Sequence, residues 1–286
     1  MTIRVGVLLL LFASLAVGQE TRPTAAQIIE RIQQHVGIPW FEPTIDTFKA
    51  GNPADTVRGI AVTMMATFDV LQRAVAKGDN LIITHEPTFY GHEDQTAKLK
   101  DANDPVYLEK QKFIDEHRLI VWRFHDHWHA RKPDGIHAGM VRALGWGAYQ
   151  DNDNPFVFHL PSTTLKELAL SLKEKLGIHT LRVIGDSAAS CSTISLSEGF
   201  PGFDMNRRFF QFPGVEVMVM GEAHEWETIE YAADAVKEGN KKGMIVLGHI
   251  PSEQAGMEEC ARWMREFVKE VPVEFVPAKE PFWKTL

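Results

Sequence analysis

Four short apolar runs in this chain each end in a cluster of histidine and carboxylate, and that pairing constrains the fold more than any other feature. Leu81–Thr84 leads into His85-Glu86-Pro87, and Leu119–Phe124 into His125-Asp126-His127-Trp128-His129. Val215–Met220 leads into Gly221-Glu222-Ala223-His224-Glu225, and Met244–Leu247 into Gly248-His249, with Glu253 four residues further on. Runs this short and this apolar, separated by helix-length amphipathic stretches, are the buried strands of an α/β fold. In open α/β sheets, binding sites collect at the carboxyl ends of strands. The four clusters are therefore expected to converge on one site.

The intervening helices carry their own start signals. Thr24 and Gln27 form a capping-box pattern before Ile28, Ile29 and Ile32. Thr67 can cap a helix through Val70, Leu71, Ala74 and Val75, and Asp134 one through Val141 and Leu144. Further helices are predicted over Pro105–His117, Thr164–Leu176, Glu227–Glu238 and Met257–Val268, and further strands over Gly59–Met65, Phe156–Leu160, Leu181–Ile184 and Val273–Val276. Ser187–Phe212 reads as a long loop. Two segments resemble each other: Phe68–Pro87 and Ile229–Glu253 both run helix, glycine, polar turn, apolar strand, histidine, carboxylate. A two-fold duplication in which each half delivers one histidine would explain this.

Imidazole and carboxylate together suit Zn, Mn, Fe, Co or Ni, and the clusters contain no thiolate for softer chemistry. His85 and Glu86 are adjacent, so at a strand-to-loop transition they can reach two neighbouring ions; dinuclear centres hold their metals ~3.5–4 Å apart. His249 and Glu253 share a face if Pro251 starts a helical turn. His125, His127 and His129 share a face if their strand continues. Asp126 is a possible substitute carboxylate, and His127 either a further ligand or a surface residue. His92, His117, His137, His159 and His179 lie outside the clusters and are read as structural or surface residues.

Met1–Gly18 has one basic residue, Arg4, an apolar run over Val5–Phe12 and small residues at Ala16 and Gly18. That is the layout of a secretory signal peptide cleaved before Gln19, too short to remain as a membrane anchor. Its loss removes one of 30 basic residues and none of 38 acidic ones, moving the net charge from −8 to −9. An acidic chain of this kind argues against sequence-independent nucleic-acid binding. Two cysteines exclude a disulfide scaffold. Cys260 shares a helical register with Met257, Ala261 and Met264, as a buried thiol would, and pairing with Cys191 stays open.

The motifs AVAKGDNLIITHEP, FHDHWHA, GEAHEW and GHIPSEQAGM, in this order and spacing, resemble the Nif-three-like family of dinuclear-metal-centre hexameric proteins (NGG-interacting-factor type). Some members of that family carry the name type-2 GTP cyclohydrolase I. The resemblance covers most of the mature chain and implies a two-lobed α/β fold with the metal site at strand ends between the lobes. Residues 19–150 with 240–286 would form one lobe and 151–239 the other. It also implies two divalent ions and a homo-oligomer, most often a hexamer. Residue by residue, it assigns His85, His249 and Glu253 to metal. Glu86 stands where the family has a second histidine, and His129 where it has an aspartate. The departures are reciprocal, so His85, Glu86, His129, His249 and Glu253 keep three imidazoles and two carboxylates. His125 matches the first residue of its motif and is placed behind a ligand. Glu222 and His224 are the candidates for handling protons beside the metals.

These readings together predict an exported, periplasmic or secreted, metal-dependent hydrolase that uses a metal-bound water on an unknown small substrate. No glycine-rich phosphate loop or basic clamp supports GTP as that substrate. The other reading is a non-catalytic protein whose metal stabilises the fold or the ring, which a closed ligand set would favour.

Overall fold

The computed structural model describes residues 22–282, so the leader-like Met1–Gly18 lies outside the described residues. The first lobe runs α1 (Ala25–His35), β1 (Phe48–Ala50), β2 (Ile60–Met65), α2 (Phe68–Lys77), β3 (Leu81–Glu86), α3 (Ala97–Asp101), α4 (Pro105–Glu116), β4 (Ile120–Arg123), α5 (Asp126–Ala130) and α6 (Gly135–Leu144). The second runs β5 (Val157–Thr164), α7 (Leu165–Leu176), β6 (Arg182–Ile184), β7 (Ser190–Ser197), α8 (Phe203–Phe210), β8 (Val217–Met220), α9 (Glu230–Lys237) and β9 (Gly243–Val246). The chain then returns to the first lobe through α10 (His249–Met264) and β10 (Val273–Phe275). The helix starts sit where their caps predict: Thr24 and Thr164 form complete capping boxes, and the side chains of Thr67 and Asp134 accept from the first turns of α2 and α6.

Each lobe is built on a five-stranded sheet, ordered β1-β4-β3-β2-β10 and β5-β7-β8-β9-β6. In both, three neighbouring strands run parallel and a preceding short strand (β1 or β6) pairs antiparallel with the last of the three. The lobes are duplicated as expected but in a different register, which matches β3 with β8 and β4 with β9 rather than β3 with β9. The two segments that resemble each other in sequence are thus offset by one strand. β9 pairs with β8 in the second sheet, so residues 240–247 belong to the second lobe and not to the first, as the sequence had suggested. The crossing back falls at Gly248.

α6 and α10 form the layer between the sheets. Met257, Cys260 and Met264 of α10 pack with Ile60, Trp122 and Phe124 of the first sheet, while Met140 and Leu144 of α6 pack with Ile194 and Val219 of the second. The two helices cross at Gly139 and Gly256, where a Cβ on either would lie 2.4 Å from the other helix's backbone. Only glycine on both sides permits that approach. It fixes the start of α10, and hence His249 and Glu253, against the first lobe.

Two segments differ from the sequence reading. Ser187–Phe212 is not a long loop but contains β7 and α8. β7 is rich in serine, and its buried Ser195 and Ser197 hide the apolar pattern carried by Cys191, Ile194 and Leu196. α10 begins eight residues earlier than Met257, because Pro251 falls in its first turn, where a missing N–H costs nothing. Cys191 and Cys260 are both buried and free. Among the described residues no helix is long and apolar enough to cross a membrane.

Candidate metal centre

β3 is buried along its whole length, and it carries His85 and Glu86 to its carboxyl end as a buried pair pointing different ways. The Nδ1 of His85 lies 3.0 Å from the carbonyl oxygen of Phe124, which can only accept. His85 therefore donates there and presents its Nε2 lone pair to the interior. Burial, then the neighbouring His125 and His129, holds its pKa well below the usual histidine value, so the ring is neutral. Glu86 turns the other way. Its Oε2 is 3.3 Å from the guanidinium of the fully buried Arg123, whose Nε donates to the His85 carbonyl at 2.9 Å. Its Oε1 is left facing His249 at 3.5 Å and His125 at 3.6 Å.

The three histidines after β4 do not continue the strand. Asp46, a buried residue from the segment before β1, accepts the backbone N–H groups of His125, Asp126 and His127 at 2.6, 2.9 and 2.9 Å. A carboxylate that satisfies three successive amides starts a helix, and α5 is the result. On a helix, His125 and His129 share a side and His127 faces away. His127 is buried against the Trp40 ring at 3.4 Å, with its Nδ1 2.7 Å from Asp46, so it is neither a ligand nor a surface residue. Asp126 is committed to Thr44, Ile45 and the Nδ1 of His125, which lower its pKa and take it out of the ligand set.

His129 completes the inner corner. Its Nδ1 is 2.9 Å from Asp134, the same carboxylate that caps α6, and its Nε2 lies 3.2 Å from the Nε2 of His85. Burial opposes charge on His129, but Asp134 and the carboxylates around it raise its pKa to about 9. From the other lobe side, Gly248 at φ 96° turns the chain into α10, where His249 and Glu253 lie one turn apart with Nε2 and Oε2 3.2 Å from each other. Burial works against charge on His249 as well; Glu222, Glu253 and Glu86 override it and push its pKa up to about 12. Glu253 Oε2 is buried with no hydrogen-bond partner, 3.6 Å from His85 Nε2. Gly199, at φ 62°, packs on this carboxylate: a Cβ there would fall 2.1 Å from Oε1.

All five residues expected to bind metal thus meet, with His125 beside them. Two overlapping groups of donor atoms, His85-His125-His129 and His85-Glu86-Glu253, are each compact enough to hold an ion, with atoms within 4.8 Å of one another. His249 belongs to neither but borders the second through Glu86 and Glu253, and His125 joins the first although the sequence placed it behind a ligand. The donors are nitrogen and oxygen only, as first-row divalent ions such as Zn, Mn, Fe, Co and Ni prefer. The centre opens into a cavity of about 340 Å³ lined by residues of both lobes, including His92, Glu198, Phe200 and Glu222.

Of the two proton-handling candidates, only Glu222 faces this cavity, with Oε1 3.5 Å from His249 Nδ1. His224 does not line it. The ring stacks on Trp226 at 4.5 Å and pairs with Glu227 at 3.3 Å, because the chain leaves β8 in a turn that carries it outward. Sequence reasoning missed Arg123, which looked like part of an apolar strand. It missed Glu198 too, which ends the unread β7 and is held 2.7 Å from His137 of the other lobe. His92 lines the cavity as well, though nothing near it in the sequence marks it out.

The fold and sequence have relatives. A Bacillus cereus protein related to NIF3 superposes with a TM-score of 0.70 at 13% identity, covering 93% of this chain and 100% of that one. A hypothetical protein of Staphylococcus aureus gives 0.67 at 16% identity, covering 92% and 100%. The GTP cyclohydrolase 1 type 2 homolog of Clostridium acetobutylicum is 25% identical over 219 residues, 71% of this chain and 75% of its own length. The model of the family Duf34/NIF3 (NGG1p interacting factor 3) matches residues 24–281, and the chain belongs to that family.

Proposed function

We propose that this protein is an exported hydrolase that works with two divalent ions held by His85, Glu86, His129, His249 and Glu253. One observation carries the reading. His85 and His129 have both committed their Nδ1 atoms to acceptors, so two imidazole Nε2 atoms face each other at 3.2 Å, with the buried Glu253 Oε2 3.6 Å from His85 beside them. Without metal, the proton on His129 can bridge the two Nε2 atoms and the charged His249 faces Glu253; a divalent ion among these donors would take over both roles. The Phe124 carbonyl and Asp134 fix the ring orientations, as partners behind metal-bound histidines do. When bound, the ions supply Lewis acidity and lower the pKa of water at the site.

The chain's own groups do the rest. Glu222, half-exposed and aimed into the cavity, is placed to take a proton from the attacking water, and its contact with His249 keeps it beside the centre. Arg123 neutralises one oxygen of Glu86 and leaves the other for metal. The cavity carries four carboxylates (Glu86, Glu198, Glu222 and Glu253) and neither lysine nor arginine. Two divalent ions would balance those carboxylates and leave no cation to hold the remaining charge of a triphosphate, which favours a small substrate of low charge, although the name of the Clostridium relative points to hydrolysis of a nucleotide. The proposal includes cleavage before Gln19 and assembly into a homo-oligomer, most simply a hexamer. N-terminal sequencing of protein from the host and light scattering of the loaded protein test these two parts.

The central test is elemental analysis together with activity. Wild-type protein loaded with Zn or Mn should carry two ions per chain and hydrolyse at least one member of a panel of uncharged esters, amides and lactones. Full loading without turnover would favour the non-catalytic reading. Protein that retains no metal after desalting would overturn both.

A further inference from the structure

α4 buries one stripe, Tyr107, Lys110 and Ile114, and the middle residue of that stripe is a lysine. A lysine at a core position is expensive unless something pairs with it. Lys110 is only 4% exposed, and its Nζ donates to the Thr88 carbonyl at 2.6 Å. Among the described residues no carboxylate lies within ion-pair distance of it, Asp94 acting on the charge only from further off, so the buried ammonium is left with N–H groups to spare. Its remaining neighbours are ring faces, Phe89 at 5.9 Å and Tyr90 at 5.3 Å. Beside it, Thr88 is fully buried and its Oγ1 has no partner.

These two unsatisfied groups border empty space. Two cavities, of about 330 and 360 Å³, meet at Phe68, Tyr90 and Lys110, and Thr88 lines the larger one. Their walls are otherwise mostly apolar, with Met65, Pro87 and Val106. The larger cavity reaches Glu86 and His92, which also line the metal cavity, but Glu86 spends its charge on Arg123. Glu109 lies at the far, outer end.

We propose that the double cavity around Lys110 binds an apolar carboxylate, with the carboxylate between Lys110 Nζ and Thr88 Oγ1 and the hydrocarbon or aromatic body against Phe68 and Tyr90. One cation and one hydroxyl match the charge and the two oxygens of a carboxylate. A phosphate dianion would bring twice the charge and more oxygens than the site has donors for. Burial pushes the Lys110 pKa down to about 8, which still leaves the ammonium charged at neutral pH. The bound anion would supply a direct ion-pair partner, which Asp94 is too far away to provide. The site does not depend on metal, so it stands or falls separately from the hydrolase reading.

Benzoate is the probe. Titration calorimetry on full-length, metal-stripped protein should show one site, and Lys110→Met should weaken it about tenfold or more, the usual loss for a charge-assisted hydrogen bond. Thr88→Val should weaken it less. Lys110→Met removes a buried charge but also the donor to the Thr88 carbonyl, so its affinity is read at a temperature where thermal melts show it folded, which separates lost binding from lost folding. In crystals soaked with 4-bromobenzoate, the anomalous bromine peak should lie in the double cavity. No binding to wild type at millimolar benzoate would overturn the proposal. So would unchanged affinity in Lys110→Met, a bromine peak at the histidine cluster, or tighter binding of inorganic phosphate than of benzoate.

Discussion

Asp46 should control the metal centre without touching it. Its two oxygens take four hydrogen bonds: the amides of His125 and Asp126 on Oδ1, and the amide and ring Nδ1 of His127 on Oδ2, all between 2.6 and 2.9 Å. Replacing an ordinary N-cap by alanine costs roughly 0.5–2 kcal/mol. Here the cap is buried, and alanine would also leave the His127 ring nitrogen unpaired among Trp40 and Phe41, adding roughly 1–3 kcal/mol. Asp46→Ala should therefore lose about 1.5–5 kcal/mol of stability, read as a fall in the urea midpoint. Asp46→Asn keeps an oxygen for the first two amides but turns an amide NH₂ toward the His127 donors, so its loss should be about half. The same substitutions should reduce bound metal, because α5 sets the positions of His125 and His129 and a site is sensitive to shifts near 1 Å. Elemental analysis under conditions where the variants remain folded separates the two effects. A variant that stays folded, loses less than about 1 kcal/mol and binds metal normally would refute the view that Asp46 builds the α5 turn.

Restoring the family arrangement with Glu86→His and His129→Asp keeps three imidazoles and two carboxylates but strips Arg123 of its carboxylate in a fully buried position. The double variant should lose roughly 3–5 kcal/mol relative to His129→Asp alone, measured by chemical denaturation. Gly199→Ala places a Cβ against Glu253 Oε1 at a backbone angle that costs alanine roughly 1–2 kcal/mol, so metal content should fall with only a modest change in melting temperature. Asp79 is buried with one oxygen unpaired, and burial, then Glu274, raises its pKa to about 6. Because its folded pKa lies above the unfolded value, the fold binds the proton more tightly and loses stability as pH rises from about 4 to about 6. Asp79→Asn should be more stable than wild type at pH 7 and no different at pH 4, as urea titrations at the two values would show.

What the sequence discloses here follows from the range of the forces involved. The strand ends were readable because apolar period and strand length are local, and the fold rule then sends whatever follows a parallel strand to one side of the sheet. His85, Glu86, His249 and Glu253 needed nothing more, since Pro251 is compatible with the first turn of α10. The run from His125 to His129 was different. Read locally, its alternating histidines fit a strand, and the residue that turns them into a helix is Asp46, 79 positions from His125. β7 stayed hidden because buried serines interrupt its apolar pattern, Ser197 being held by Asn206 of α8, a partner outside the strand that a hydropathy pattern cannot see. The same logic explains the exchange at position 86. A carboxylate there is required by a guanidinium inside β4, where Arg123 also holds the His85 and His92 carbonyls and so ties the loop after β3 to the neighbouring strand. Once Arg123 occupies that place, a second histidine at position 86 would put a neutral ligand next to an unpaired buried cation, and the imidazole has to come from elsewhere. In the proposed ligand set His129 supplies it across the sheet, with Asp134 behind it. The proposed ligand set therefore follows from a charge balance that includes Arg123 more than from a run of metal-binding letters.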